Sequence, residues 1–132
     1  MKERLKKVDR IIKVQRHLHR SAELRLANLQ RQEGELKSAQ EELMRTMSDT
    51  DALHGLFVDV MAKRLKALAV EEAQTQTAIV EQRAIAVEKA LQVKRTEKVF
   101  ARMKEDHRRV QEKKDLAAIL EAMVQKSSTS LP

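Results

Sequence analysis

Helix-breaking residues are almost absent from this chain. Two glycines, Gly34 and Gly55, and one proline, Pro132, occur in 132 residues. In a helix interior Gly costs about 1 kcal/mol and Pro about 3 kcal/mol against Ala. A sequence nearly free of both can stay helical for tens of residues. Charged side chains make up 36% of it, enough to keep long helical faces in water. Phe57 and Phe100 are the only aromatic residues, so the large rings that fill three-dimensional cores are missing. The remaining apolar residues, mostly Ala, Leu, Val, Ile and Met, suit a narrow seam between helices.

Such a seam is visible in the spacing. In the first third, Val8, Ile11, Gln15, Leu18, Ala22, Leu26, Leu29, Glu33, Leu36, Gln40, Leu43 and Met47 recur at steps of three and four. Two successive fours around Ala22 predict a stutter, a local unwinding of the supercoil. A second stripe runs through Phe57, Met61, Leu65, Leu68, Glu72, Thr75, Ile79, Gln82, Ala86, Lys89, Val93, Thr96, Phe100, Met103, His107 and Val110. It continues toward Leu120 and Val124. The spacing therefore predicts an all-α fold, an antiparallel two-helix coiled-coil hairpin with a longer second helix.

Between the stripes lies Ser48-Asp49-Thr50-Asp51, four short polar residues that compete for backbone hydrogen bonds. Ser48 with Asp51 approximates a capping box, and Gly55 is the alternative helix stop. Helix 1 is expected over about 2–47, a turn within 48–56 with 48–51 favoured, helix 2 over about 52–126, and a disordered tail over 127–132. Folding at about residue 50 pairs positions whose numbers sum to about 100, so Leu43 meets Phe57, Leu36 meets Leu65 and Val8 meets Val93. Residues 99–126 then overhang by roughly 42 Å at 1.5 Å per residue. Their stripe of Phe100, Met103, Val110, Leu120 and Val124 calls for another partner. Polar residues at many seam positions predict a marginal hairpin, mostly monomeric.

Net charge is +7 and unevenly spread: +5 over residues 1–47, −3 over 48–88 and +5 over 89–132. A hairpin brings the two basic stretches to one end. An acidic protein surface is the expected partner for that end, beside the plain reading of a solvated face. Nucleic acid is not expected, since stacking aromatics and recognised modules are missing. Membrane insertion is not expected either, because no apolar run reaches the length needed to span a bilayer. The start of the chain carries no apolar segment of a signal peptide, and there is no cysteine, so a cytoplasmic location is expected.

No catalytic signature appears. There is no Gly-rich phosphate loop and no cysteine nucleophile. The adjacent pairs Glu41-Glu42 and Glu71-Glu72 diverge by about 100° on a helix. His17 and His19 point apart, and His19 with Glu23 offers only two ligands, too few for a metal site. No enzymatic activity, cofactor or metal is expected.

Val8-Asp9-Arg10-Ile11-Ile12-Lys13-Val14-Gln15, followed by Ser21-Ala22-Glu23-Leu24-Arg25-Leu26-Ala27, resembles the opening of the central-stalk proteins of type III export systems, the FliJ, YscO and SctO type. The near-central turn and longer second helix extend the resemblance over nearly the whole chain. It implies a hairpin whose joint end inserts into a hexameric export ATPase and whose turn side faces the membrane-embedded export gate. It places the chain in the cytoplasm, peripheral to the inner-membrane export apparatus. Some members also bind export chaperones. The implied ATPase contacts are Arg4, Lys6, Lys7, Arg10, Lys13, Arg102, Arg108 and Arg109, with the apolar Phe100 and Val110. The implied gate contacts are Leu43, Met44, Met47, Phe57 and Met61, which serve equally well as seam residues. A coiled-coil scaffold or tether fits the same pattern. A basic nucleic-acid or membrane binder fits it less well.

Overall fold

The computed structural model describes residues 2–49 and 55–129. They form two helices, α1 (Lys2–Asp49, 48 residues) and α2 (Gly55–Thr129, 75 residues). The fold is all-α, a two-helix hairpin with a longer second helix, as the spacing predicts.

Helix α1 runs past residue 47, and the expected cap at Ser48 does not form. The Ser48 hydroxyl instead donates to the Met44 carbonyl at 3.0 Å, one turn back, and Thr46 does the same to Glu42 at 3.0 Å. Satisfied in this way, both side chains sit inside the helix rather than starting a new one. The remaining turn residues, with Asp51, lie outside the described residues. Gly55 opens α2, and no described glycine has a positive φ, so it does not end α1 as a left-handed cap. At the far end, residues 127–129 belong to α2, and the Ser128 hydroxyl donates to the Gln125 carbonyl at 3.0 Å. Residues 130–132 of the expected tail lie outside the described residues.

The seam on α1 differs from the expected one. Its buried and half-buried positions include Leu5, Val8, Ile12, Gln15, His19, Ala22, Leu26, Leu29, Glu33, Leu36, Gln40, Leu43 and Met47. These steps alternate three and four without a break, so there is no stutter. Ile12 is 3% exposed, whereas Ile11 is 49% exposed and Leu18 is also exposed. An unbroken heptad keeps one face on the partner helix, and that regularity outweighs the gain from burying Leu18 in place of His19. On α2 the expected positions from Met61 to His107 are all at least half-buried, but Phe57 and Val110 are exposed.

Two units divide the chain: residues 16–91, and residues 1–15 together with 92–132. Within residues 16–91 the helices are antiparallel. Gln40 donates to Glu72 at 2.6 Å, Gln76 to Glu33 at 3.3 Å, and Gln82 to the Ala22 carbonyl at 3.0 Å. Paired numbers therefore sum to 104–112 rather than about 100, because α1 ends later and α2 begins later than expected. Leu43 lies beside Arg64 and Leu68, not Phe57. The apolar core is thin: Ala22, Leu68, Ile79 and Ala86 are buried, with Thr75 and Gln82 among them. Polar seam residues answer one another across it. Glu33 takes Lys37 at 3.1 Å as well as Gln76, and Gln76 also reaches Glu72 at 3.3 Å. A buried polar group left unpaired costs about 1–3 kcal/mol, so the part-buried Gln40–Glu72 bond and the buried Gln82–Ala22 bond hold the register, whereas Lys37 and Gln76 are exposed and add little.

In the other unit, Ile12 and Val93 are buried, with Leu5, Val8, Gln15, Thr96, Phe100, Met103 and His107 half-buried around them. Cover ends there. Every residue from 108 to 128 is exposed. The overhang thus begins about ten residues later than expected.

Candidate protein-docking surfaces

Charge separates with the two units. Residues 1–15 and 92–132 hold 16 basic and 8 acidic side chains, a net +8, whereas residues 16–91 hold 11 and 12, a net −1. All of the chain's net positive charge is therefore in the unit that joins the beginning of α1 to the end of α2. The fold brings the two basic stretches into one unit, as the hairpin reading requires.

Individual residues differ within it. Arg4, Lys6, Lys7, Arg10, Lys13 and Arg102 are exposed. Lys13 also bridges Asp9 at 3.1 Å. Arg108 grips Glu105 with two hydrogen bonds, at 2.6 and 3.1 Å, and also bonds Glu112. Arg109 lies 3.4 Å from the same Glu105. The Arg108 hydrogen bonds hold the Glu105 carboxyl below the usual carboxylate range, and Glu105 in turn raises the Arg108 guanidinium further. Arg108 and Arg109, like Lys13, thus spend part of their charge within their own helices, and Arg4, Lys6, Lys7, Arg10 and Arg102 carry the more open positive charge. Phe100 is half-buried, and the Lys104 ammonium stands 4.6 Å from its ring centre. It belongs to the packing of its own unit. Val110 is 41% exposed.

Of the expected gate contacts, all within residues 16–91, Leu43, Met47 and Met61 are half-buried in the seam, while Met44 and Phe57 are exposed. Exposed Val58 and Val60 stand beside Phe57, off the expected stripe. Their signal is the apolar run Leu56-Phe57-Val58, with Val60 after it, where a single stripe needs only one residue per turn.

A second stripe lies outside the expected seam. Val70, Ala73, Thr77, Val80, Ala84, Val87 and Leu91 are all exposed and recur at steps of three and four. At 100° per residue they lie roughly 150° around α2 from the seam. Helix α2 is thus apolar on two opposite faces, and a helix of that kind is ordinarily covered on both. Its signal in the sequence is a parallel heptad, hidden because one seam is enough to explain the hairpin.

Among the described residues no three His, Cys, Asp or Glu side chains converge as metal ligands. The Nε2 of His19 lies 3.1 Å from Glu23, and this pair stands without a third ligand group among the described residues. No described helix is long and apolar enough to cross a membrane. Comparison with known proteins finds no matching family model, no similar curated protein and no similar solved structure.

Proposed function

We propose that this chain is a central-stalk subunit of a type III protein export apparatus, inserting its basic end into a hexameric export ATPase and coupling it to the export gate. One observation carries the reading: the segregation of net charge, +8 in the unit joining 1–15 with 92–132 and −1 in residues 16–91. A hairpin whose two termini share one strongly basic unit suits an acidic, ring-shaped partner, which would draw it in by long-range attraction. The exposed Met44, Phe57, Val58 and Val60 are the residues we assign to the gate. The outer stripe of α2 is the surface we assign to a third partner such as an export chaperone. The chain acts by binding, in the cytoplasm beside the inner-membrane apparatus, and performs no catalysis.

The test is charge reversal at exposed positions. Substituting Lys6, Arg10 and Arg102 by Glu lowers the unit's net charge from +8 to +2. Association with a type III export ATPase should slow and lose most of its salt dependence, while helicity stays unchanged. Equal binding at every salt concentration would show the basic unit to be ordinary solvated surface and would favour a scaffold.

A further inference from the structure

The overhang of α2 ends in a cluster of large apolar side chains that no described part of the chain covers. Leu116 is 58% exposed, Ile119 57%, Leu120 55% and Met123 62%. Their spacing is symmetric: steps of three, one and three about a centre between Ile119 and Leu120. At 100° per residue, Leu116 and Met123 lie within about 10° of one line along the helix, with Ile119 and Leu120 about 50° to either side. Read in either direction, the face presents large apolar groups at the same heights. That i, i+3, i+4, i+7 spacing of an amphipathic face admits a self-complementary, two-fold contact.

We propose that this face, Leu116 to Met123, is a self-association site that pairs with the same segment of a second copy in antiparallel orientation. Leu116 then stacks on Met123 of the second copy, while on one flank Ile119 meets its Ile119 and on the other Leu120 meets its Leu120. At 100° per residue this face lies on the side of α2 opposite the seam that α1 covers up to His107. Charge favours this occupant and this direction. Antiparallel pairing sets Glu112 of each copy, which also bonds Arg108 in its own helix, beside Lys126 of the other, on the same side and within about 1.5 Å along the axis. Parallel pairing would instead align the Arg108-Arg109 and Lys113-Lys114 runs of the two copies. The contact is short, so the dimer is weak and dissociates on dilution, which leaves the dilute hairpin monomeric. Self-association through this face follows from spacing and charge, and stands apart from the stalk reading.

Sedimentation equilibrium of the full chain tests it, across roughly a hundredfold range of concentration. A reversible monomer–dimer equilibrium is expected. Leu120→Glu should lower the association constant at least about tenfold, with helicity retained because Leu120 is exposed in the monomer. The chain has no cysteine, so single cysteines report geometry directly. Ile119→Cys should cross-link readily under oxidation, since its two-fold mates sit about 1.5 Å apart along the axis. Met123→Cys should not, since its mates are about 10 Å apart along the axis, beyond disulfide reach. A monomer at all concentrations would overturn the proposal. So would undiminished dimerisation of Leu120→Glu, or equal cross-linking of both cysteine variants, the signature of a parallel pair.

Discussion

Ile11 and Ile12 provide a neighbour-controlled test of the seam. They share residue type, helix and chain position, but Ile11 is 49% exposed and Ile12 only 3%. Truncating a buried Ile to Ala costs about 2–5 kcal/mol. A two-helix seam can close partly around the gap, which puts Ile12→Ala near the low end, about 2 kcal/mol. At Ile11 the removed atoms are already half in water, and Ala gains roughly 0.4 kcal/mol of helix propensity. Ile11→Ala should therefore cost no more than about 0.5 kcal/mol. Urea unfolding followed by helical circular dichroism at low protein concentration reads both variants, and the Ile12→Ala midpoint should fall clearly below that of Ile11→Ala. If Ile11→Ala were the more damaging, the seam would run through Ile11 and Leu18 with a stutter at Ala22, and the unbroken register through Ile12 and His19 would be wrong.

Other outcomes follow from the same packing. Gln82 is buried and donates across the seam to the Ala22 carbonyl; Gln82→Ala should cost about 2 kcal/mol from the lost hydrogen bond and buried methylenes, while Gln82→Leu should stay within about 1 kcal/mol of the original in the same urea assay. A Cβ built on Gly34 meets nothing within 4 Å, so Gly34→Ala should stabilise the hairpin by about 1 kcal/mol, and an unchanged or lowered urea midpoint would contradict an open helical site there. Glu33 is held below its usual range by the hydrogen bond from Lys37, then by Gln76, and Glu105 by Arg108. A depressed carboxyl pKa stabilises the folded form above the unfolded value and loses that contribution as pH falls through the folded one. Helicity at low salt should therefore decline below about pH 5, and Glu33→Gln with Glu105→Gln should flatten that decline. An identical pH profile for the double variant would show that these pairs contribute nothing.

The hairpin is legible in the sequence because helix breakers and heptads are statements about local chemistry. From Met61 to His107 the seam of α2 follows from spacing alone. The first half of α1 misleads because the sequence offers two stripes there, Ile11 with Leu18 and Ile12 with His19, and hydrophobicity favours the former. Only the continuous register through Ala22 and Leu26 selects the latter, which is a property of the whole helix rather than of one window. Helix α1 runs on past residue 47 because short polar side chains can cap a helix or bond back into it, and Ser48 and Thr46 do the second. Cover ends at His107 rather than at about residue 98, which changes the roles of Phe100 and Met103. The basic end is legible as composition. Which cations are spent on neighbours is not, since Arg108 with Glu105 and Glu112 depends on side-chain geometry.

The most direct test of the stalk reading is stoichiometry. Native mass spectrometry of the chain mixed with a type III export ATPase should show one copy bound per ATPase hexamer, with the hexamer favoured over smaller assemblies in its presence. A single hairpin fills a central pore once, so a second copy has no place to bind. Six copies per hexamer would place the chain on the outside of the ring as a tether, and no bound copy at low salt would remove the ATPase as its partner.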